Sequence, residues 1–339
     1  MTGPQVSLLA DGRRLHLHHG PIDLIVEACG DENERRAAYR QAAARFETIL
    51  DELVAELPRL RQPASRRARG FISIIAQRME YAVVPHAKKF VTPMAAVAGA
   101  VADEIMAVLM RGRSLARAYV NNGGDIALHL TPGEMFTLAI AHTDNTSAGC
   151  ISVGFDDPIR GIATSGWRGR SFSLGIADAV TVLAADAASA DAAATIIANA
   201  VDLPGHPAVR REPACERDPD SDLGPRLATA GVGPLGPSEV STALDRGYRE
   251  AKRLQTNGLI VSAALFLQGT SRVVPRMIPS QRQADAALRS IVMEAMLDGG
   301  IRQAALDERA AQPFADWRCD GRTVMLPPQE VEGAAVDRP

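Results

Sequence analysis

Asp191 and Thr195 stand four residues apart in the stretch Asp191-Ala-Ala-Ala-Thr195. On a helix that spacing projects both side-chain oxygens from one face. Such a pair suits a hard cation such as Mg²⁺, which takes oxygen ligands and often uses one or two carboxylates beside substrate phosphates. It equally suits a capped, Ala-rich helix in which the Thr195 hydroxyl bonds back to a carbonyl. A second candidate is Asn121-Asn-Gly-Gly-Asp125. Asn-Gly is a common short hairpin turn, and paired glycines also let backbone N–H groups approach a phosphate closely. A third is Thr164-Ser165-Gly166, which sets hydroxyls at a turn. It lacks the Gly-x-Ser-x-Gly elbow of a nucleophilic serine, and nothing fixes His142 or His206 as its base.

Other clusters carry less chemistry. His16 and His18 fall on one side of any strand they share, as metal ligands require, but no neighbouring Cys or carboxylate in the sequence completes a set. Asp218-Pro-Asp-Ser-Asp222 starts like a calcium loop, then has Leu223 where the loop needs Gly and Thr229 where it needs Glu. Cys29, Cys150, Cys215 and Cys319 are scattered without a C-x-x-C pair, so they read as reduced thiols.

These residues need elements to position them. Ala179–Ala184, around Val180, Thr181 and Val182, predicts a strand. Ala187–Asn199 predicts a helix rich in Ala, with Ser189 as its N-cap and Asp191 in the first turn, where a negative charge complements the helix dipole. Arg14–Glu27 reads as two strands about a Gly-Pro turn, and Asp31–Leu57 as a long packing helix stopped by Pro58. Arg66, Arg67 and Arg69 read as solvated loop charges. Val91–Met110 predicts a second helix, with Thr92 before Pro93 as a cap-then-proline start. Strands are expected on both sides of the 121–125 turn, over Phe136–His142 and Ile151–Phe155, and over Leu259–Gln268. Helices are expected over Ser238–Leu254 and Ala284–Leu297. Seven prolines interrupt 203–237, which predicts a long loop. Hairpin-like spacing points to an antiparallel or mixed sheet.

The chain has 339 residues, 46% hydrophobic and only 4% aromatic, with a formal net charge of −3 and a pI near 6.2. That balance gives no bulk pull toward nucleic acid, and so few aromatics argue against base-stacking platforms for single strands. The beginning of the chain lacks the pattern of a secretion signal. No uninterrupted apolar stretch reaches spanning length, since Val91–Met110 contains Asp103 and Glu104. The expectation is a cytoplasmic protein without nucleic-acid or membrane partners.

Taken in order, the motifs resemble the ApbE superfamily of flavin transferases. The carriers are a small-residue helix with Gly99 and Asp103, then Asn122-Gly-Gly-Asp125, Ile162-Ala-Thr-Ser-Gly166, Val180-Thr-Val182 and Asp191-x-x-x-Thr195. The match covers about Phe90–Val201. The flank Leu15-His-Leu-His-His-Gly-Pro-Ile-Asp23 is similar to a branch of that superfamily without an assigned activity. The resemblance implies an α+β fold of mixed or antiparallel sheets packed with helices, in a single intertwined domain over 1–330 with a loose tail over 331–339.

It also implies a chemistry, because these transferases use FAD and Mg²⁺ to attach FMN to a threonine of a target protein. By the resemblance Asp191 and Thr195 would ligate Mg²⁺. Asn122, Gly123, Gly124 and Asp125, with Thr164, Ser165 and Gly166, would line the pocket for FAD, FMN or another phosphate-bearing, pterin-like nucleotide. Apart from what the resemblance implies, Asp125 or Asp178 is expected to act as a base and Arg170 as an anion partner for catalysis beyond the metal. The chain departs from the transferases in three places. Ala98 stands where they carry a lysine, Trp167-Arg168 replaces Asp-Tyr, and Ser173–Asp178 bridges directly over a missing His-Ile-x-Asp-Pro segment. Expected functions are therefore a Mg²⁺-dependent transferase or hydrolase acting on such a ligand, a binding protein without transfer, or a protein-interaction subunit, with a homo-oligomer compatible with each.

Overall fold

The computed structural model describes residues 3–67, 69–141, 147–276 and 323–325. The helix expected over 284–297, the tail over 331–339 and His142 lie outside the described residues. The described residues through Pro275, with 323–325, belong to one compact unit.

Nine strands form the main sheet: β1 (Gln5–Leu8), β2 (Leu15–His19), β3 (Ile22–Gly30), β4 (Leu115–Asn122), β5 (Asp125–Leu130), β8 (Gly161–Ser165), β9 (Ala179–Ala184), β12 (Ser262–Leu267) and β13 (Thr270–Val274). They lie in that order, with every neighbouring pair antiparallel. A three-stranded sheet joins β6 (Met135–Ala141) and β7 (Ser147–Gly154) to β14 (Thr323–Met325), which runs parallel to β6. The six α-helices among the described residues are α1 (Glu32–Leu60), α2 (Ile74–Val83), α3 (Val97–Met110), α4 (Ala187–Ala200), α5 (Ala214–Arg217) and α6 (Pro237–Thr256).

Strand alternation divides the core in two. Ala118, Val120, Ala127, Ala163, Val180 and Val182 face the helices and share one aliphatic cluster with Phe46, Ile49, Ile105, Leu109, Ile196 and Leu244. Tyr119, Ile126, Leu128, Ile162 and Leu183 face the other way, onto Phe136, Leu138 and Val153 of the small sheet. The main sheet is thus a middle layer, buried on both sides where it carries the candidate site. With so few aromatic side chains, the core is built mostly from Leu, Ile, Val and Ala, each fully buried Leu or Ile contributing about 1.5–3 kcal/mol.

Several expectations change. Pro58 does not stop α1, which runs on to Leu60 with the proline inside its final turns. Asp186, not Ser189, caps α4, its carboxylate accepting from the Ser189 N–H at 2.7 Å. The 203–237 stretch is not a plain loop: β10 (Val209–Pro213) pairs with β11 (Leu227–Val232), with α5 between them. Arg69 is no solvated charge, since its Nε lies 2.6 Å from Glu80. The 18 residues Pro93–Met110 are apolar and long enough to cross a membrane by composition, yet 61% of that helix is buried. Its place in the aliphatic core makes it a packing element.

Candidate functional site

The site lies where α3 and α4 begin. Gly99 of α3 meets the start of α4 so closely that a Cβ there would stand 2.3 Å from the Ala187 carbonyl oxygen, so only glycine permits this crossing. The helices then exchange caps. Asp103 on α3 accepts from the N–H groups of Ala187 (3.0 Å) and Ala188 (2.9 Å) at the start of α4. Asp191 on α4 accepts from the N–H of Gly99 at 3.1 Å. The first backbone donors of any helix lack partners within it, and here each helix borrows a carboxylate from the other.

Beneath this crossing, β4 and β5 join through Gly123 and Gly124, both at positive φ (63° and 108°), the left-handed region that a side chain disfavours. Asn121 accepts from the Gly124 N–H at 2.8 Å, and Asn122 donates from Nδ2 to the Ala98 carbonyl at 3.1 Å. Asp125 follows as the first residue of β5, buried, with Oδ1 accepting from the Thr164 N–H at 3.2 Å. One turn, one strand end and one helix face therefore converge on a cavity of about 470 Å³ lined by Asp125, Asp191, Thr195, Gly123, Arg170 and the 164–166 turn.

The electrostatics follow from burial. Asp125 is held well above the ordinary carboxylate range, chiefly by desolvation and then by the neighbouring Asp191, while the Thr164 N–H and Arg170 pull the other way. Asp191 is pushed up to about 7 by burial, against the N–H groups of Gly99 and Ala98. Asp103, partly buried, is pushed up to about 6 by desolvation despite its two N–H donors. Two carboxylates that resist ionising face one cavity, and a bound cation would let both ionise. Arg170 lies against Gly123, where a Cβ would meet its guanidinium at 2.0 Å. Among the described residues no side chain pairs with that guanidinium, and none takes up the Thr195 hydroxyl.

The structure sorts the expected residues into two groups. Asp125, Arg170, Gly123, Thr164, Ser165, Gly166, Asp191 and Thr195 line the cavity. Asn122 and Gly124 do not, and act instead by fixing the turn and tying it to α3. Asp178 does not reach it either. Its carboxylate accepts from Trp167 Nε1 (3.1 Å), Arg168 Nε (2.8 Å) and the Gln268 N–H (2.6 Å), so the structure places it as a hub between these segments and not with the other expected residues.

Residues outside the expected set also line the cavity: Arg61, Met94, Phe172 and the segment Asp218–Leu223. That segment is the stretch too irregular for a calcium loop. It is tied to the body by Arg61, 3.5 Å from Asp220, and by a hydrogen bond from the Thr92 hydroxyl to Asp222. Its density of aspartates was the one signal in the sequence. His16 and His18 do share a face, where Asp23 from the neighbouring strand accepts His16 Nε2 at 2.7 Å. Among the described residues no group of three His, Cys, Asp or Glu side chains could hold a metal, so a cation in the cavity would depend on two carboxylates, a hydroxyl and its own ligand's oxygens.

Known proteins share parts of this chain. A UPF0280 protein of Methanothermobacter thermautotrophicus is 40% identical over 121 residues, 34% of this chain and 45% of that protein. One of Methanopyrus kandleri is 39% identical over 127 residues, 37% of this chain and 48% of the relative. The chain thus spans about half the length of the curated relatives it matches. Among solved structures, a variant of the flavin transferase ApbE from Vibrio cholerae superposes with a TM-score of 0.45 at 13% identity, covering 77% of this chain and 97% of that one. The apo flavinyl transferase ApbE of Pseudomonas stutzeri does so at 0.43 and 12%, covering 81% and 95%. The family model described as AbpE bacteria matches residues 6–273, and with most of its length inside that match the chain belongs to the AbpE bacteria family.

Proposed function

We propose that the cavity binds a phosphate-bearing nucleotide of the flavin or pterin-like class, FAD or FMN among them, together with Mg²⁺. The observation that carries this reading is the convergence of Asp125 and Asp191, from different elements, on one hollow that also presents Thr195 and the unpaired Arg170. The donor set fits the metal: carboxylate and hydroxyl oxygens are hard ligands, and Mg²⁺ commonly completes its shell with water and substrate phosphate. When bound, the ion neutralises phosphate charge and polarises the phosphorus.

The chain's own residues divide the remaining work. Asp191 and Thr195, one turn apart on α4, hold the cation side. Arg170 receives anionic oxygens, and the open backbone at Gly123 lets them approach. Asp125 lines the same cavity, its affinity for protons raised by burial and by the neighbouring Asp191, and it is the base if transfer occurs.

Calorimetric titration with FAD and FMN, with and without Mg²⁺, tests the reading. Binding is expected to require Mg²⁺ and to be lost in Asp191→Ala. Isotherms that Asp191→Ala leaves unchanged would refute the metal assignment. A second reading, binding without turnover, is favoured by Ala98, which lines the cavity where the transferases carry lysine, and by the engagement of Asp178 elsewhere. Detection of a flavin-derived product after incubation with FAD and Mg²⁺ would exclude it.

A further inference from the structure

We infer that Phe172 is a stacking platform for a planar heteroaromatic ring, so that the cavity selects ligands carrying a ring beside an anionic group over bare phosphates. This rests on the nucleotide reading above and narrows it. Phe172 is the single aromatic side chain among the described residues lining the cavity. The Arg217 guanidinium lies over its ring, 4.5 Å from the centroid, so a ligand in the cavity would meet the ring by its other face or its edge. A cation on one side of a benzene ring is an attractive cation–π contact that holds the ring in place.

The backbone beside it is fixed too. Ser173 accepts the Thr229 N–H on its carbonyl at 2.8 Å, and its hydroxyl meets Asn199 Oδ1 at 3.2 Å. Asn199 Oδ1 also takes the Leu174 N–H at 2.8 Å. The ring is therefore held ready before any ligand arrives, which lowers the ordering cost of binding. Two residues earlier in the same turn, Arg170 offers its unpaired guanidinium to the same cavity. One short segment thus supplies a ring surface and a cation side by side, and Met94 adds a polarisable apolar wall of the kind that packs against ring edges. A nucleotide presents the matching pair of groups; pyrophosphate presents only one.

The test compares two probes, FMN and inorganic pyrophosphate, each with Mg²⁺, against wild type, Phe172→Leu and Phe172→Tyr. Leucine keeps apolar bulk and removes the ring, and tyrosine restores the ring. Stacking on one aromatic side chain corresponds to roughly tenfold in affinity. Phe172→Leu is expected to weaken FMN about tenfold. Pyrophosphate should stay within about twofold, and Phe172→Tyr should recover the affinity for FMN. Equal losses for the two probes, or no loss for either, would overturn the platform. A wild-type protein that binds pyrophosphate but neither FMN, AMP nor GMP would overturn the platform and leave the metal–phosphate reading standing. Binding of none of these ligands would overturn both.

Discussion

The Asp191 carboxylate accepts the backbone N–H of Gly99 at 3.1 Å, across 92 residues of sequence. With Asp103 returning the same service to Ala187 and Ala188, the starts of α3 and α4 form one interlocked unit whose spacing is set by Gly99. Gly99→Ala would put a Cβ 2.3 Å from the Ala187 carbonyl oxygen. The Cβ is fixed directly to one helix backbone and the oxygen belongs to the other, so the helices must part. Overpacking of this kind costs about 1–3 kcal/mol, and separation also draws Asp191 off its cap. Urea denaturation is expected to show a loss in that range together with weaker ligand binding. Wild-type stability in Gly99→Ala would mean that the crossing is not tight in solution.

The same carboxylate would give the proposed Mg²⁺ binding a pH dependence. Asp191, pushed up to about 7 by burial, must lose its proton before it can ligate a cation. Below pH 7, affinity for Mg²⁺ should rise about tenfold per pH unit for each proton that binding displaces, with Asp191 supplying one of them. Calorimetry in two buffers of different ionisation enthalpy counts the protons. Binding that is flat between pH 6 and pH 8 would place the ion elsewhere.

Arg170 separates binding from stability. Its side chain is exposed and its charge acts on Asp125 across the cavity, so Arg170→Ala should change folding free energy by less than about 0.5 kcal/mol. A charge-assisted contact to phosphate is worth about 1.5–3 kcal/mol, so affinity for FMN should fall at least tenfold. Loss of stability with affinity intact would reverse its role.

The sequence disclosed the local features and concealed those that need two distant segments. Asp191 and Thr195 were legible because one helix carries both, and the strands were legible because their alternation survives in a two-sided core. The Pro-rich stretch hid β10 and β11 because the prolines sit at their ends and in the connecting turns, where they break no ladder. Ser189 had the right type for an N-cap, but Asp186 lies one turn earlier and caps the helix by accepting the N–H of Ser189 itself. The roles of Asp178, Arg61 and Asp220 depend on partners 10 to more than 150 positions away, and no periodicity encodes such distances. Asp125 was legible as part of a turn; its high affinity for protons was not, since burial and Asp191 together cause it.

His86 sets an acid limit on stability, remote from the cavity. Burial, with Arg253 and Lys89 nearby, lowers it from 6.5 to about 4, while Glu250 opposes the change. The unfolded chain takes up the proton as pH falls through 6.5, and the folded chain refuses it until about 4. Stability is therefore complete above pH 6.5 and lost progressively between there and pH 4. The loss is on the order of 3 kcal/mol at most, since each tenfold difference in proton affinity between the two states corresponds to about 1.36 kcal/mol. His86→Gln removes this titration, so the difference in unfolding free energy between wild type and variant should narrow by about that amount from pH 7 to pH 4.5. A constant difference would show that His86 titrates alike in both states.

Asp178 offers the sharpest contrast between a structural and a catalytic carboxylate. Three donors from two separate parts of the chain, the Trp167–Arg168 turn and the end of β12 at Gln268, meet on its two oxygens. Arg168 Nε at 2.8 Å makes one of these a charged contact. Asp178→Asn keeps the shape but replaces one acceptor oxygen with a donor NH₂ that faces other donors. Such a mismatch costs about 1–3 kcal/mol. The turn it anchors also carries Arg170, so a small loss of ligand affinity should accompany the fall in stability, and Asp178→Ala should lower both further. If Asp178 instead moved protons in a reaction, Asp178→Asn would retain wild-type stability and affinity for FMN while abolishing turnover. Denaturation and calorimetry on the same preparation distinguish the two outcomes.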